Sequence, residues 1–549
     1  MPRYQYQPFE VLAPPELMEE VNAPAKYAVA IIGAGPIGLS AAIDLATHGI
    51  ASVVLDDNNV VSVGSRAICW AKRSLEIFDR LGVGERMLAK GVTWQTGRLF
   101  HKDSEVYNFD LLPEDGHKFP AFINLQQYYV EQYLVERALE FPELIDLRFK
   151  NCVKDHKDLG EHVDLTIETP FGAYEVKAEY VLACDGAGSP TRKRMHLPFE
   201  GQTFEEHFLI VDVEMDENPF ETDIPERWFW FEPDFHNGQS ALLHKQPDNI
   251  YRIDLQLGPE ADPKTEATDE KVLPRIKAIV GDKSFQLDWK SVYKFRCAKL
   301  DRFVHNRVIF VGDSAHVVSP FGARGGNGGI QDVDNLCWKL AAVLTKTAPE
   351  TLLETYNTER GYGADENILN SSRATNFMTP KSAIESIFRN EVLRLSKDFP
   401  FARRLINSGR LSLPCTLPEG AKEIGADTSD ETCISIGETV VDVPLDEAGT
   451  QKWLSSEIQN SFTLVGFGDV DLPNVSGVKR IGISQHSDHY PVFQDVEGFG
   501  VQRYGLGKAY LFRPDGYLLA SFQAPTHNSV ANVVSDVLQS KLLRETPNE

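Results

Sequence analysis

Nowhere in the 549 residues does an apolar run approach the roughly 18 residues that a membrane-spanning helix needs. The opening stretch, MPRYQYQPFEVLAPPELMEEVNAPAK, is rich in Pro and Glu and holds no apolar segment of signal-peptide length. It reads as an extended arm on the surface. Net positive charge is missing too. Lys and Arg number 55 against 80 Asp and Glu, a balance of −25 that argues against nucleic acid or an anionic membrane as a partner. Seven cysteines, at 69, 152, 184, 297, 337, 415 and 433, form neither a CxxC pair nor a Cys/His cluster at metal spacing. No metal centre and no disulfide framework is expected, and the pattern fits reduced thiols in a cytoplasmic protein.

The remaining composition, 42% hydrophobic and 25% charged, is that of a globular protein, and the length predicts about three or four domains. Glycine is placed rather than scattered. The segment YAVAIIGAGPIGLSAAIDLATHGIASVVLDDNN reads as strand, glycine turn, helix and second strand. Gly33, Gly35 and Gly38 supply GxGxxG. The first allows the tight turn, the second lets backbone approach a pyrophosphate, and the third lets helix and strand pack closely. The helix start offers free N–H groups to phosphates, and Asp56, at the end of the second strand, can accept a hydrogen bond from a ribose 2′-OH. On this motif alone, NAD and FAD both remain open.

Two later segments decide between them. In AEYVLACDGAGSPTRKRM a strand runs into Asp185 and Gly186, followed by Ser189 and Arg192. In VIFVGDSAHVVSPFGARGGNGGIQD a strand runs into Gly312 and Asp313, and a glycine-rich stretch precedes the helix pattern NLCWKLAAVL. GAGPIG at 33–38, DGAGSPTR at 185–192 and GDSAH at 312–316 together resemble the FAD-dependent aromatic hydroxylases. These are the single-component flavoprotein monooxygenases of the p-hydroxybenzoate hydroxylase and phenol hydroxylase type. The resemblance covers about the first 400 residues and is nearest the 3-(3-hydroxyphenyl)propionate and polyketide aromatic hydroxylase branch.

The resemblance implies FAD as cofactor, NADPH or NADH as a transient co-substrate, and hydroxylation of a phenol by O2 through a flavin C4a-hydroperoxide. It places Asp313 at the ribityl chain, and Asp185 and Gly186 near the pyrophosphate and the nicotinamide path, with Arg192 close by. Arg66, in SRAI at 65–68, would lie along the cofactor, and Gln127, opening QYYVE at 127–131, would reach its phosphate or ribityl region. The glycines of 322–329 would make room for the isoalloxazine ring. Backbone N–H groups from Asn327 to Gly329, Gly328 between them and Gly326 just before, would point at its C2 carbonyl and N1. Many relatives read GQGxN where this chain reads Gly322-Ala323-Arg324-Gly325-Gly326-Asn327, so Arg324 is a cation without an assigned role. Two other readings stay open: an FAD-dependent dehydrogenase or reductase without oxygen transfer, and a flavin-holding binding protein without turnover.

Between 205 and 295 the pattern changes to strands: HFLIVDVE, RWFWFEP, SALLHKQ, YRIDLQL and SVYKFRC. In YRIDLQL, Tyr251, Ile253, Leu255 and Leu257 share one face while Arg252, Asp254 and Gln256 share the other. In the resembling family such a sheet roofs the aromatic substrate. His244, Arg252 and Gln256 are therefore substrate-side candidates, with Tyr293 behind them, His244 as the base, and Pro320-Phe321 as a wall beside the reacting edge. A half-solvated sheet with its polar face in water would show the same alternation. WFWFEP at 228–233 approaches the W-x-W-x-I-P motif of flavin-dependent tryptophan halogenases but departs from it at Glu232. Trp228 and Trp230 on one strand face are accounted for by aromatic packing.

Helical patterning continues to about residue 408 and gives way to the linker SLPCTLPEG. Short strands, the turn RPDG at 513–516 and a final helix ANVVSDVLQSKLL resemble the C-terminal thioredoxin-like domain of phenol hydroxylase relatives. Without CxxC it cannot run dithiol chemistry, and a structural or subunit-contact role is expected. The expected fold combines α/β and α+β parts. It has an N-terminal arm (1–25), a Rossmann-like FAD-binding domain (26–204 and 296–408), an antiparallel-sheet substrate domain (205–295) and a thioredoxin-like domain (415–549). A homodimer is the family's usual assembly.

Overall fold

The structure is a computed structural model that describes the chain apart from residues 1–3, 19–23, 65, 95, 103, 111–113, 221–223, 407–412, 419–433, 485 and 540–549, and the side chains of 205 and 206. Ser65, Cys433, and parts of the N-terminal arm, the linker and the last helix thus lie outside the described residues.

Five parallel strands form the centre: Val308–Phe310, Gly172–Ala183, Ala25–Ile32, Ser52–Asp56 and Ile145–Phe149, side by side in that order. Val29 to Ile31, Val53, Val54, Val181 and Val308 to Phe310 have essentially no exposure. Continuous apolar runs of this kind suit a sheet covered on both faces. The helices Pro36–Thr47, Gln127–Ala138 and Gly325–Leu344 are among those that pack on it. In chain order the strands read fifth, fourth, first, second, third. The order reverses beside the first strand, and at such a point a crevice opens outside the carboxyl ends. Asp56 ends its strand, and Gly33, Cys184-Asp185 and Val311 to Asp313 directly follow the ends of theirs. Topology, not chain proximity, brings the three motifs together.

The helix Pro36–Thr47 sits so close to the turn before it that a Cβ on Gly38 would lie 1.9 Å from the Gly33 carbonyl oxygen. Gly33 itself has φ +106°, which side-chain-bearing residues rarely adopt. The expected tasks of the first and third glycines are met.

A second sheet of eight strands lies over the crevice. Its order is His316–Val317, Gln286–Lys299, Glu200–Glu214, Ile250–Leu257, Ala241–Lys245, Arg227–Phe231, Thr96–His101 and Ser104–Asp110. It extends beyond 205–295, because Thr96–His101 pairs in parallel with Arg227–Phe231. Alternation within one segment cannot disclose a partner so distant in the chain. Tyr251, Ile253, Leu255 and Leu257 do share a face, packed with Val272 and Ile276 of the helix Asp269–Val280. Trp228 and Trp230 stack among Phe100, Phe220 and Phe235 on that side, away from the crevice.

Helices Glu354–Met378, Ala383–Ser396 and Pro400–Arg403 follow the expected pattern. Beyond them a five-stranded sheet has the order Val492–Phe493, Val478–Ile483, Phe462–Phe467, Lys508–Phe512, Leu518–Phe522, with the helix His527–Leu538 after it. The RPDG turn joins the last two strands, and its buried Arg513 and Asp515 bond to Glu359 and Trp338. The cysteines among the described residues are all unpaired. Among those residues, no helix is long and apolar enough to cross a membrane, and no cluster of His, Cys, Asp and Glu could hold a metal ion.

Candidate active site

One cavity of about 640 Å³ runs from the glycine turn at Gly33 and Gly35 to the polar face of the eight-stranded sheet. Its lower wall carries Asp56, Arg66, Gln127, Asp185, Gly186 and Asp313, and its upper wall Phe208, Leu242, His244, Arg252 and Tyr293.

At the far end, the helix Pro36–Thr47 begins with extended Gly35 and then Pro36, leaving its first N–H groups directed at the cavity. Asp56 Oδ2 accepts from the Ala34 N–H at 2.5 Å and Oδ1 from the Asn58 N–H at 2.7 Å. Burial raises the Asp56 carboxyl, and these two donors oppose the rise. Asp56 therefore shapes the glycine turn as well as facing the cavity. Gln127 donates to Glu131 Oε1 at 2.8 Å and to Ser62 Oγ at 3.2 Å, and accepts from the Ala67 N–H at 3.1 Å. That network fixes the backbone beside Arg66, whose side chain is exposed.

Asp185 Oδ2 accepts from the Thr191 N–H at 2.9 Å, whereas its Oδ1 is buried without a partner among the described residues. Asp313 stands on the turn Gly312–Ser314, open to the cavity yet deep in the protein. Burial pushes its carboxyl up, with His316 and Arg66 acting the other way. Arg192 is not part of the wall. Its guanidinium lies 3.8 Å over the Phe199 ring and donates to the carbonyls of Ser314 at 2.7 Å and Ala187 at 2.6 Å. It straps the DGAGSPTR loop to the GDSAH loop.

The glycine-rich stretch differs from expectation in register. The helix Gly325–Leu344 already includes it, and the Gly328 N–H donates to the Arg324 carbonyl at 2.7 Å. The donors left without a helical acceptor are those of Gly325, Gly326 and Asn327, so of the expected donors Gly326 and Asn327 stay available while Gly328 and Gly329 fall inside the helix. Gly328 and Gly329 serve packing: a Cβ on Gly329 would lie 2.6 Å from Ile37 Cδ1, and one on Gly328 3.1 Å from Asn367 Nδ2. Gly312 approaches Ile37 from the other side. Asn327 Oδ1 accepts from the Ala71 N–H at 2.9 Å while its Nδ2 donates to the Cys69 carbonyl at 2.9 Å, pinning the strand Cys69–Ala71 to the helix start. Arg324, buried at the cavity wall, donates to Asn367 Oδ1 at 2.9 Å and so ties the loop to the helix Glu354–Met378.

These residues fit FAD. Two helix starts and an acid at the end of the second strand face one cavity, a Cβ on Gly35 would meet nothing within 4 Å, and the orphaned Asp185 Oδ1 awaits a donor.

Across the roof, Arg227 stands opposite His244, His244 opposite Arg252, and Arg252 opposite Asp212, four residues in one row. Asp212 takes Arg252 at two points, Nε at 2.8 Å and Nη2 at 2.7 Å. His244 Nε2 lies 3.5 Å from Asp254 Oδ2. Burial would raise the Asp254 carboxyl, but His244, Arg252 and Arg227 bring it below its ordinary value. The Cys69 thiol is likewise buried, yet Arg227 and His244 beside it bring it down. The polar face thus covers the cavity rather than meeting bulk water. His244, Arg252 and Pro320 line that cavity with Tyr293 and Phe321. Gln256 does not, since its Oε1 accepts from the Ser240 N–H at 3.1 Å at the far end of the strand. Arg227, Asp254 and Cys69 complete the wall. Of these, only Asp254 carried a sequence signal, its alternation with Arg252.

Residues 26–371 match the family described as FAD binding domain. A flavin-dependent monooxygenase of Mycobacteroides abscessus is 31% identical over 357 residues, which are 60% of this chain and 70% of that protein. A 3-(3-hydroxy-phenyl)propionate/3-hydroxycinnamic acid hydroxylase of Klebsiella pneumoniae is 27% identical over 83% of this chain and 80% of its own. Among solved structures, the OxyS anhydrotetracycline hydroxylase from Streptomyces rimosus superposes with a TM-score of 0.70 at 25% identity, covering 93% of this chain and 98% of that one. With the crevice, the glycine loops and these relatives in agreement, the chain belongs to the FAD binding domain family and is an FAD-dependent aromatic monooxygenase within it.

Proposed function

We propose that the enzyme hydroxylates a phenol with O2, using NADPH or NADH as a transient reductant, with FAD along the lower wall of the cavity and the phenol under the roof. The observation that carries this reading is the continuity of one cavity from the glycine turn to the row of His244 and Arg252. In the proposed arrangement the pyrophosphate lies at Gly33, Gly35 and the start of the helix Pro36–Thr47, and Asp56 takes the adenosine ribose. Asp313, Arg66, Gln127, Asp185 and Gly186 line the middle, and Arg192 acts by holding two loops together. Bound there, FAD supplies hydride acceptance and O2 activation.

The chain's own residues do the rest. The N–H groups of Gly325, Gly326 and Asn327 stabilise negative charge at the ring's pyrimidine edge. Asp254, beside His244 Nε2, favours the tautomer with its proton on that nitrogen, which leaves Nδ1 to accept the phenolic proton. Phe208, Phe321 and Pro320 exclude water from the reacting edge.

The domain division drawn from the sequence belongs to the same proposal, with Thr96–His101 and Ser104–Asp110 added to the roof. In the C-terminal sheet, three parallel strands are followed by two antiparallel ones and a closing helix, an order that supports a thioredoxin-like 415–549. A homodimer is supported by the exposed Ile384, Ile387 and Phe388 along one helix. A cytoplasmic location accords with the unpaired cysteines.

The test is NADPH and NADH consumption with and without a panel of phenols, with peroxide measured alongside. Substrate-stimulated O2 uptake yielding a catechol or quinol is expected. Hydride acceptance without oxygen incorporation would instead mean a dehydrogenase, and a flavin that neither nicotinamide bleaches would mean a binding protein.

A further inference from the structure

The arm before the first strand lies across the outside of the cofactor wall. Its near end is anchored, because Glu16 on the short helix Pro15–Met18 takes Arg148 of the central sheet at 2.9 Å. Beyond that anchor, residues 4–13 have no regular structure and no fully buried side chain. Phe9 stacks on Phe149 with ring centres 4.6 Å apart. Its N–H donates to the Asn59 carbonyl at 2.6 Å, and Asn59 Nδ2 donates back to the Phe9 carbonyl at 3.1 Å. Tyr6 Oη accepts from the Gly64 N–H at 3.1 Å. Tyr4 packs on Tyr128 and Tyr129, with ring centres 4.2 and 5.0 Å away.

Asn59 and Gly64 bracket a loop whose inner side belongs to the cavity, where Asp57 and Ser62 line it. Tyr128 follows Gln127, another wall residue. Gly64 is also where the loop meets the roof, since a Cβ there would lie 2.4 Å from Trp289 Nε1. The arm therefore grips the loop from outside at both ends, while Glu131 holds its middle from inside through the Ser62 N–H and Oγ. A segment with exposed hydrogen bonds and little buried apolar surface opens far more readily than the sheet beneath it.

Building on the placement of FAD along the lower wall proposed above, we infer that residues 4–9 are a strap that holds the loop 57–64 closed over the cofactor, and that its detachment sets how fast FAD leaves. The hinge is the stretch before Glu16, which stays fixed to Arg148 while the far end lifts. Tyr6 and Phe9 take no part in the chemistry. A strap that merely added stability would be felt through the whole chain, whereas one acting on the loop is felt there and at the cofactor.

The test compares the FAD-loaded full chain with a variant carrying both Tyr6→Ala and Phe9→Ala. FAD release is followed by the rise in flavin fluorescence on dilution, and backbone hydrogen exchange is read over 57–64 and over the central strands. Release ~10-fold or more faster is expected, the scale of one hydrogen bond and one ring stack lost together. Faster exchange should be confined to 57–64 and the start of the helix Gln127–Ala138, with kcat at saturating FAD unchanged. Tyr6→Phe keeps the ring and removes only the acceptor; it should speed release ~3-fold, and it decides the matter if the double variant does not fold. An unchanged release rate in whichever variant folds overturns the inference. So does faster release with exchange raised equally across the central strands, the mark of general destabilisation. A wild-type chain that takes up no FAD sinks the cofactor placement itself.

Discussion

His244 lines the cavity, its Nδ1 makes no hydrogen bond among the described residues, and a carboxylate lies 3.5 Å from Nε2, an arrangement that suits a proton acceptor. Replacing it by Gln should lower kcat for hydroxylation by ~10²-fold or more, the usual yield of a positioned base, while slow NAD(P)H oxidation without substrate persists. The comparison of steady-state rates with and without phenol measures this directly. Gly38 makes the opposite kind of demand, since it is defined by a side chain it must not have. Gly38→Ala would push a methyl group into the Gly33 carbonyl and should destabilise the protein by about 1–3 kcal/mol, with lowered FAD content read from the flavin absorbance. Such positions were legible in the sequence because backbone crowding admits a single residue type. Arg192 was legible as a member of its motif but not as a strap, because its acceptors, the Ser314 and Ala187 carbonyls, come from two loops. Gln256 was misplaced for a related reason: alternation gives the face of a strand but not which end of it reaches a cavity. Arg227 carries no signal of its own in the sequence, because the aromatic alternation of Trp228 and Trp230 accounts for that strand without it.

Among the elements, the helix Gly325–Leu344 does most to join cofactor and fold. From its second turn Asp332 accepts from Gly312 N–H at 3.2 Å and from Arg360 Nε at 2.7 Å, and pairs with His316 Nε2 at 2.6 Å. Burial opposes ionisation there, yet His316 and Arg360 bring the carboxyl to about 2, from 3.8 when unfolded. A carboxyl lowered on folding stabilises the native state above its unfolded value, and that stabilisation fades as pH falls from ~4 toward 2. It amounts to on the order of 2 kcal/mol. Asp332→Asn should therefore lose stability at pH 7 and show a flatter acid limb, measured by urea unfolding at pH 7 and pH 3. The body of this helix was plain from NLCWKLAAVL. Its start was not, because each glycine in GGNGG costs about 1 kcal/mol of helix propensity and argues for a loop. Close contact with Ile37 and Gly312 overrides that local preference.

At the scale of the whole molecule, the C-terminal sheet is wedged onto the flavin domain through its RPDG turn. Arg513 donates to both oxygens of Glu359 at 2.8 and 2.9 Å, Glu359 also holds Lys339 at 2.9 Å, and Asp515 accepts from Trp338 Nε1 at 3.2 Å. Removing one member strands buried charge, so Arg513→Ala should cost about 3–5 kcal/mol in thermal or urea unfolding. The sequence disclosed a turn there, but not that its polar residues face inward, because their partners Glu359 and Trp338 lie far away in the chain. Likewise the parallel core was readable from three strand-turn motifs, whereas the roof's two outer strands were not, since Thr96–His101 finds its partner at Arg227–Phe231. For the proposed hydroxylation, one cavity has to seat a flavin and a phenol face to face. The most direct measurement is the visible difference spectrum of the flavin-loaded protein as hydroxylated aromatics are added. A saturable change at one site per flavin is predicted; a chain that takes up no flavin, or holds one whose spectrum ignores every phenol offered, would contradict it.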